Sequence, residues 1–329
     1  MEAWEKFRSF VSEKKLIEAG DRVVLAVSGG PDSVCLAHMF WRLKKTMPID
    51  LTIVNMDHGL RAESSKEAKR VEKLGKKLSL RVVTKKIGVR EAADSGKISL
   101  ETAGRNLRYE TLFSVAEQMG FNKIATGHTA NDNAETVLMW LIRGTGSEGL
   151  AGIPAERTGP GRVRVIRPML PVTRKDVMEY VKRQKLPFSM DSSNLTLDYT
   201  RNRIRHKVIP VLNGFNPRFV EHIFNLSGII AIDNDYLGRI SERAARRISR
   251  TSGSGITLDL KGYFGYNEAV QQRILKDILP ENISLRNIVR LRDLIASENR
   301  REIQLSKQWR IEKRGGRIFF RKNKGAAQA

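Results

Sequence analysis

Residues 21–34 read DRVVLAVSGGPDSV, and the fold turns on this stretch. Val23, Val24, Leu25, Ala26 and Val27 form an apolar run without alternation, as expected of a strand buried on both faces of a parallel sheet. Ser28, Gly29, Gly30, Pro31, Asp32 and Ser33 follow, and then VCLAHMFW (34–41) reads as a buried helix. Strand, glycine turn and helix together aim free backbone N–H groups, aided by the helix dipole, at an anion. The two glycines permit positive φ and close approach of a phosphate. Asp32 is the odd member, because a carboxylate repels a polyphosphate. It fits if a divalent cation such as Mg2+ lies between them on hard oxygen ligands.

The loop lacks the Gly-Lys-Ser/Thr of a Walker motif. SGGxDS after a buried strand resembles instead the PP-loop of the N-type ATP pyrophosphatases. That resemblance implies ATP as co-substrate, cleaved between its α and β phosphates, on a doubly wound α/β fold of the adenine nucleotide alpha hydrolase-like type.

Composition points to the partner. The 329 residues carry a net charge of +23, an excess that suits a polyanion, nucleic acid first. The single cysteine, Cys35, excludes an intramolecular disulfide and CxxC-type zinc sites, and its apolar surroundings predict a core residue. MEAWEKFRSF at the start lacks a signal-type apolar region, and no run is long enough to span a bilayer. The expectation is a cytoplasmic protein with no membrane partner.

Outward from the loop, residues 2–19 predict an amphipathic helix, and Leu51–Met56 a second strand ending in Asp57-His58-Gly-Leu-Arg61. Polar residues at the carboxyl end of a parallel strand point into the ligand crevice of a doubly wound sheet. Asp57 would face adenine or ribose there, and His58 a phosphate or simply its own loop. A Lys/Glu-rich helix (63–78), a strand (80–83) and a basic loop without periodicity (84–99) follow. The helix from Leu100 to about Met119 carries Arg105 and Arg108 on one face; Glu101 and Arg105 could simply pair, but near an ATP site that fork of donors suits an α-phosphate. Residues 123–127 predict a fourth strand running into His128-Thr-Ala-Asn-Asp132-Asn-Ala-Glu135-Thr136. Asp132 and Glu135 share a helix face. First-turn acids also cap helices, but a paired-carboxylate site for an amine or a metal explains more of this crowded strand end.

Residues 163–170 predict a fifth strand and 174–185 a helix. After Asp191-Ser-Ser-Asn194 comes YTRNRIRHK (199–207), in which Arg201, Arg203, Arg205 and Lys207 have no acid among them. As a strand they would form one face, and as a helix they would scatter. Either way they make a basic surface beside the crevice, suited to RNA phosphates. The domain reading is a catalytic ATP-binding domain over 1–213, a helical linker over 214–249 with one long helix from 217, and a small α+β RNA-binding domain over 250–329. The last contains a hairpin turning at Gly315-Gly316. From Arg300 to Lys324 there are ten basic residues against two acids, interleaved with Trp309, Phe319 and Phe320. Those aromatics serve either RNA or the domain's own core.

Taken together, Ser28–Ser33, Asp57–Arg61, Gly104–Tyr109, Gly127–Thr136, Arg143–Ile153, Arg167–Leu170 and Asp191–Arg205 resemble the tRNA(Ile)-lysidine synthetases. The C-terminal part resembles that family's substrate-binding domain less specifically, and the chain looks too short for the further C-terminal domain of larger members. The resemblance implies a carbon–nitrogen ligase whose partners are tRNA(Ile) with a CAU anticodon and free L-lysine. The wobble cytidine's C2 oxygen attacks the ATP α-phosphate, and the lysine ε-amine then displaces AMP. Residue by residue, it implies pyrophosphate on Ser28, Gly29, Gly30 and Ser33, and Mg2+ on Asp32. Arg108 and His128 would face the α-phosphate, with lysine on Asp132 and Glu135. The family often has His and Asp where Thr129 and Asn131 stand. The alternatives are a PP-loop tRNA 2-thiolation enzyme, which generally needs several cysteines, and a non-catalytic RNA-binding protein, which would have lost its acids. A homodimer is compatible with the sequence.

Overall fold

The run that predicts the first strand forms it: β1 spans Arg22–Ala26, with Val23, Val24 and Leu25 fully buried. In this computed structural model the described residues are 2–57, 64–189, 200–252, 255–279, 285–306 and 308–323. They divide into two compact units, Met1–Ala231 and Ile232–Ala329.

In the first unit β1 pairs in parallel with β2 (Asp50–Asp57), and β2 with β3 (Arg81–Lys86). On its other side β1 pairs with β4 (Lys123–Ala125), β5 (Glu156–Thr158) forms an antiparallel edge, and β6 (Arg164–Ile166) lies between β4 and β5. The order is therefore β3-β2-β1-β4-β6-β5. Alternate residues of β1 serve opposite faces. Val23 and Leu25 pack with the helices Ala3–Glu13, Pro31–Lys44 and Arg174–Arg183, while Val24 packs with Leu112, Val115 and Ala116 of the helix Leu100–Met119. Two-faced burial of this kind, worth about 1.5–3 kcal/mol per large apolar side chain, explains why β1 shows no alternation. The chain winds from β1 towards β3 and then reverses at β4. The β1/β4 boundary is thus the switch point, beyond whose carboxyl ends a crevice opens.

The 84–99 stretch departs from expectation: it completes β3 and forms a helix, Val89–Gly96, whose N-cap Gly88 offers no side-chain bond. Residues 200–208 are helical, with a π turn at Ile204–Val208. The long helix predicted from 217 runs Phe219–Ile248.

The second unit is built on an antiparallel sheet, β7 (Ser249–Ser252), β8 (Gly255–Asp259), β9 (Glu302–Gln304), β10 (Trp309–Arg314) and β11 (Arg317–Lys322), ordered β7-β8-β11-β10-β9. Gly315 and Gly316 both hold positive φ, 56° and 72°, the backbone a two-residue primed turn requires. Strand parity sorts the aromatics: Trp309 and Phe320 lie in the core with Leu258, Ile311 and Ile318, while Phe319 takes the opposite face, partly exposed.

Candidate active site

The site begins where β1 ends. Gly29 has φ +93°, a conformation open to glycine at little strain, and its carbonyl accepts from the Ser189 N–H and hydroxyl at 3.0 and 3.3 Å. Ser33 Oγ accepts from the N–H groups of Ser28 and Gly29, both at 3.2 Å, and donates to the Gly30 carbonyl at 2.9 Å. Gly30 is the N-cap of the helix Pro31–Lys44 and supplies no side-chain bond, with Pro31 at its first position. First-turn N–H groups thus remain for a ligand at the positive end of the helix.

Asp32 stands in that first turn. Its Oδ1 is buried without a hydrogen-bond partner, and Arg174 Nη1 lies 3.8 Å from Oδ2. Burial, with the nearby Asp132 and Glu135 charges, pushes its carboxyl up to about 6 against the pull of Arg174 and Arg205. An orphaned carboxylate oxygen beside a loop that receives anions fits a hard cation. Among the described residues no group of three ligating side chains converges, so phosphate oxygens and water would complete the shell of any such ion.

Across the switch point, β4 leads into Thr126 and His128, whose Oγ1 and Nδ1 lie 2.8 Å apart. Burial, then the Arg167, Arg201 and Arg105 charges, lowers His128 to about 4 despite Asp132, so its ring is neutral near pH 7. Thr129 caps the helix Ala130–Arg143 in a capping box with Asp132. Asp132 Oδ2 accepts from the Thr129 N–H at 2.8 Å and its hydroxyl at 2.9 Å. That leaves Oδ1 for Arg201 Nη2 at 2.8 Å and Arg205 Nη2 at 3.5 Å. Burial opposes ionisation of Asp132, but Arg201, His128, the Thr129 N–H and Arg205 together hold its pKa below the ordinary value. Glu135, only 1% exposed, accepts from Arg205 Nε at 2.5 Å and Nη2 at 2.9 Å, and from Arg201 Nε at 2.7 Å. Being four apart on a helix, Arg201 and Arg205 share the face that meets the carboxylates. Arg203 and Lys207 are exposed.

The structure therefore brings together Ser28, Gly29, Gly30, Pro31, Asp32, Ser33, His128, Asp132, Glu135, Arg201 and Arg205. Arg108 is exposed near Arg201, and Asp57 closes β2 half-buried. His58, like the Asp191–Asn194 segment, lies outside the described residues. Sequence reasoning missed Thr126 and Arg174. Each has a signal in retrospect, since Thr126 directly follows a buried strand and Arg174 follows a Thr N-cap of its own capping box.

Sheet order and crevice together define a class: the chain belongs to the PP-loop domain family, whose model matches residues 2–212. It is similar to the tRNA(Ile)-lysidine synthase of Clostridioides difficile, 34% identical over 306 residues, which cover 91% of this chain and 65% of that protein. It is likewise similar to the tRNA(Ile)-lysidine synthase of Thermosipho africanus, 38% identical over 69% of this chain and 53% of that one. The chain thus spans less than two thirds of the length of these relatives. Among solved structures, the U34-tRNA thiolase NcsA of Methanococcus maripaludis superposes with a TM-score of 0.60 at 17% identity, over 70% of this chain and 78% of that one. That likeness is one of fold, the adenine nucleotide alpha hydrolase-like sheet. No helix among the described residues is long and apolar enough to cross a membrane.

Proposed function

We propose that this chain is a tRNA(Ile)-lysidine synthetase of the cytoplasm, joining L-lysine to the wobble cytidine of tRNA(Ile) with a CAU anticodon at the expense of ATP. The observation that carries the reading is the likeness to a protein of that name over 91% of this chain, and the crevice offers a group for each step. ATP would lie with its phosphates on Ser28–Ser33, and Asp32 Oδ1 is the atom to receive Mg2+. Bound there, Mg2+ would neutralise phosphate charge. The cytidine C2 oxygen attacks the α-phosphorus, and pyrophosphate leaves.

His128 acts as a donor in this reading. Thr126 is buried, and among the described residues the His128 ring is the one acceptor within reach of its hydroxyl. The hydroxyl therefore donates to Nδ1, which puts the ring proton on Nε2. A neutral ring held this way donates a hydrogen bond to charge growing on the phosphate, and Arg108 adds a second donor. The ε-ammonium of lysine, with a pKa of about 10.4, would bind at Asp132 and Glu135, lose a proton and attack C2. AMP departs with the C2 oxygen. Because Arg201 and Arg205 occupy those carboxylates, lysine entry exchanges an internal ion pair for one with substrate. The guanidiniums so released join Arg203 and Lys207 as tRNA phosphate contacts.

Thiolation is the lesser reading. The one cysteine, Cys35, is fully buried and burial pushes its thiol well up, so no sulfur reaches the crevice from it. Incorporation of labelled lysine into unmodified tRNA(Ile) transcript, with and without ATP, tests the proposal, with initiator tRNA(Met) of the same anticodon as control. ATP-dependent labelling of the isoleucine tRNA alone is expected. Absence of labelling alongside RNA-dependent pyrophosphate release would overturn lysine as the nucleophile.

A further inference from the structure

Next to His128, on the side away from the PP-loop, four side chains gather that the steps above leave unused. Arg167 directly follows β6 and is 3% exposed. Its Nη1 donates to the Pro154 carbonyl at 2.6 Å, its guanidinium also bonds the Tyr109 phenol, and its Nε is buried with no acceptor. Arg157, on β5, lies 4.4 Å from the centre of the Tyr109 ring, and Arg105, one turn back on the same helix as Tyr109, lies 5.3 Å from it. Among the described residues no carboxylate pairs with any of the three arginines, whereas their neighbour Arg164 pairs with Glu156. The cationic field is strong enough to lower the Tyr109 phenol despite burial.

A buried guanidinium with an unfilled N–H is unfavourable until an acceptor arrives. We propose that Arg105, Arg157 and Arg167, ordered around Tyr109, form a phosphodiester-binding subsite for the RNA substrate, separate from the PP-loop. The inference rests on the reading of this chain as an RNA-modifying enzyme and names where that RNA is held.

Placement favours RNA over the nucleotide's own phosphates. β6 and β5 lie two and three strands from β1, about 10 and 14 Å along the sheet, beyond His128 as seen from Ser28–Ser33. Arg105 and Arg157 are exposed, open to a macromolecule outside the crevice. A phosphate resting there would accept from Arg167 Nε at its base and from the two outer guanidiniums above.

The test uses the full chain with an anticodon stem-loop RNA carrying CAU. Binding constants are measured from 50 to 200 mM salt, beside the KM for ATP at saturating RNA. Arg157→Gln and Arg105→Gln, both at exposed positions, should each weaken RNA binding about fivefold and flatten the log K against log salt slope by about 0.7, with the KM for ATP unchanged. Arg167→Lys keeps the charge but loses Nε, so affinity should fall with the slope retained. Unchanged affinity and slope in both glutamine variants would overturn the subsite. A raised KM for ATP with RNA binding intact would also overturn it, assigning the cluster to the nucleotide. If the wild-type chain binds no RNA, the proposed function fails with it. If the wild type binds and lysinylates the RNA and both glutamine variants bind it with unchanged affinity and slope, only the subsite fails.

Discussion

Replacing Asp32 by Asn should make the protein more stable and inactive at once. The Asp32 carboxyl is raised from 3.8 to about 6 by burial and by the Asp132 and Glu135 charges. The folded state therefore holds this proton more tightly than the unfolded chain does. The stability this confers is complete below pH 3.8 and is lost as the pH rises through 6. At ~1.36 kcal/mol per pH unit, the ionised carboxylate costs the folded state about 3 kcal/mol at pH 8 and about 1 kcal/mol at pH 4.5. Asn keeps the shape and never ionises. Asp32→Asn should thus exceed wild type by those amounts in urea titrations run in EDTA without nucleotide. In thermal melts at pH 8 the gain should be roughly 6–12 °C for a unit of this size. Saturating Mg-ATP should narrow the gap, because a ligand that binds only the folded wild type stabilises it by mass action. ATP-dependent lysine incorporation should fall more than about a hundredfold. A variant less stable than wild type at pH 8, or a difference that does not grow between pH 4.5 and 8, would refute the reasoning.

Glu135→Ala strips two part-buried guanidiniums of their main acceptor and should destabilise by about 3–5 kcal/mol, read as a lower urea midpoint. In the variant that remains folded at low temperature, lysine transfer should suffer more than RNA-dependent pyrophosphate release; equal losses would count against Glu135 as a lysine contact. Lys123, fully buried, bonds the Leu16 carbonyl at 2.8 Å and Asp21 Oδ2 at 2.5 Å. Lys123→Met should cost about 3 kcal/mol by leaving Asp21 without its cation, and Lys123→Met/Asp21→Asn should recover part of this in a double-mutant cycle. Burial and the Arg42, Lys77 and Lys45 charges lower His38 to about 4. Below pH 6.5 the unfolded chain takes up a proton that the folded one refuses, so about 3 kcal/mol is lost as the pH falls from 6.5 towards 4. His38→Gln should flatten that loss, visible as a smaller difference between urea midpoints at pH 4.5 and 7.5 than in wild type.

Much of the first unit is legible in its sequence because its signals are local. A β-branched run without alternation, two glycines and a proline at the first helical position fix strand, loop and helix within fourteen residues. The rest required long-range information. Arg201 and Arg205 lie 66 to 73 residues from the carboxylates they bond. Alternating arginines read equally as a strand face until helical geometry puts those two, four apart, on one side. β5, β7 and β9, with three or four residues each, are too short to carry a periodic signal, and they form because neighbouring strands offer unpaired edges. The helix Val89–Gly96 lacks a side-chain cap, the cue that would have announced it. Parity in β10 and β11 decides which aromatic faces out, and parity needs a register before it can be read.

The divided duty of Asp132 has a consequence for how sequence variation in this protein would be scored. One of its oxygens closes the turn that starts a helix, and the other meets the arginines of the crevice. Loss of the carboxylate would therefore reduce both the amount of folded protein and what each molecule can do. In a saturation survey that counts abundance and function separately, Asp132 variants should drop out of both. Asp32 variants should survive the abundance screen, even rise in it, and disappear only in the functional one. Two aspartates facing the same crevice would thus have opposite mutational signatures, and a survey of abundance alone would single out the wrong one as dispensable.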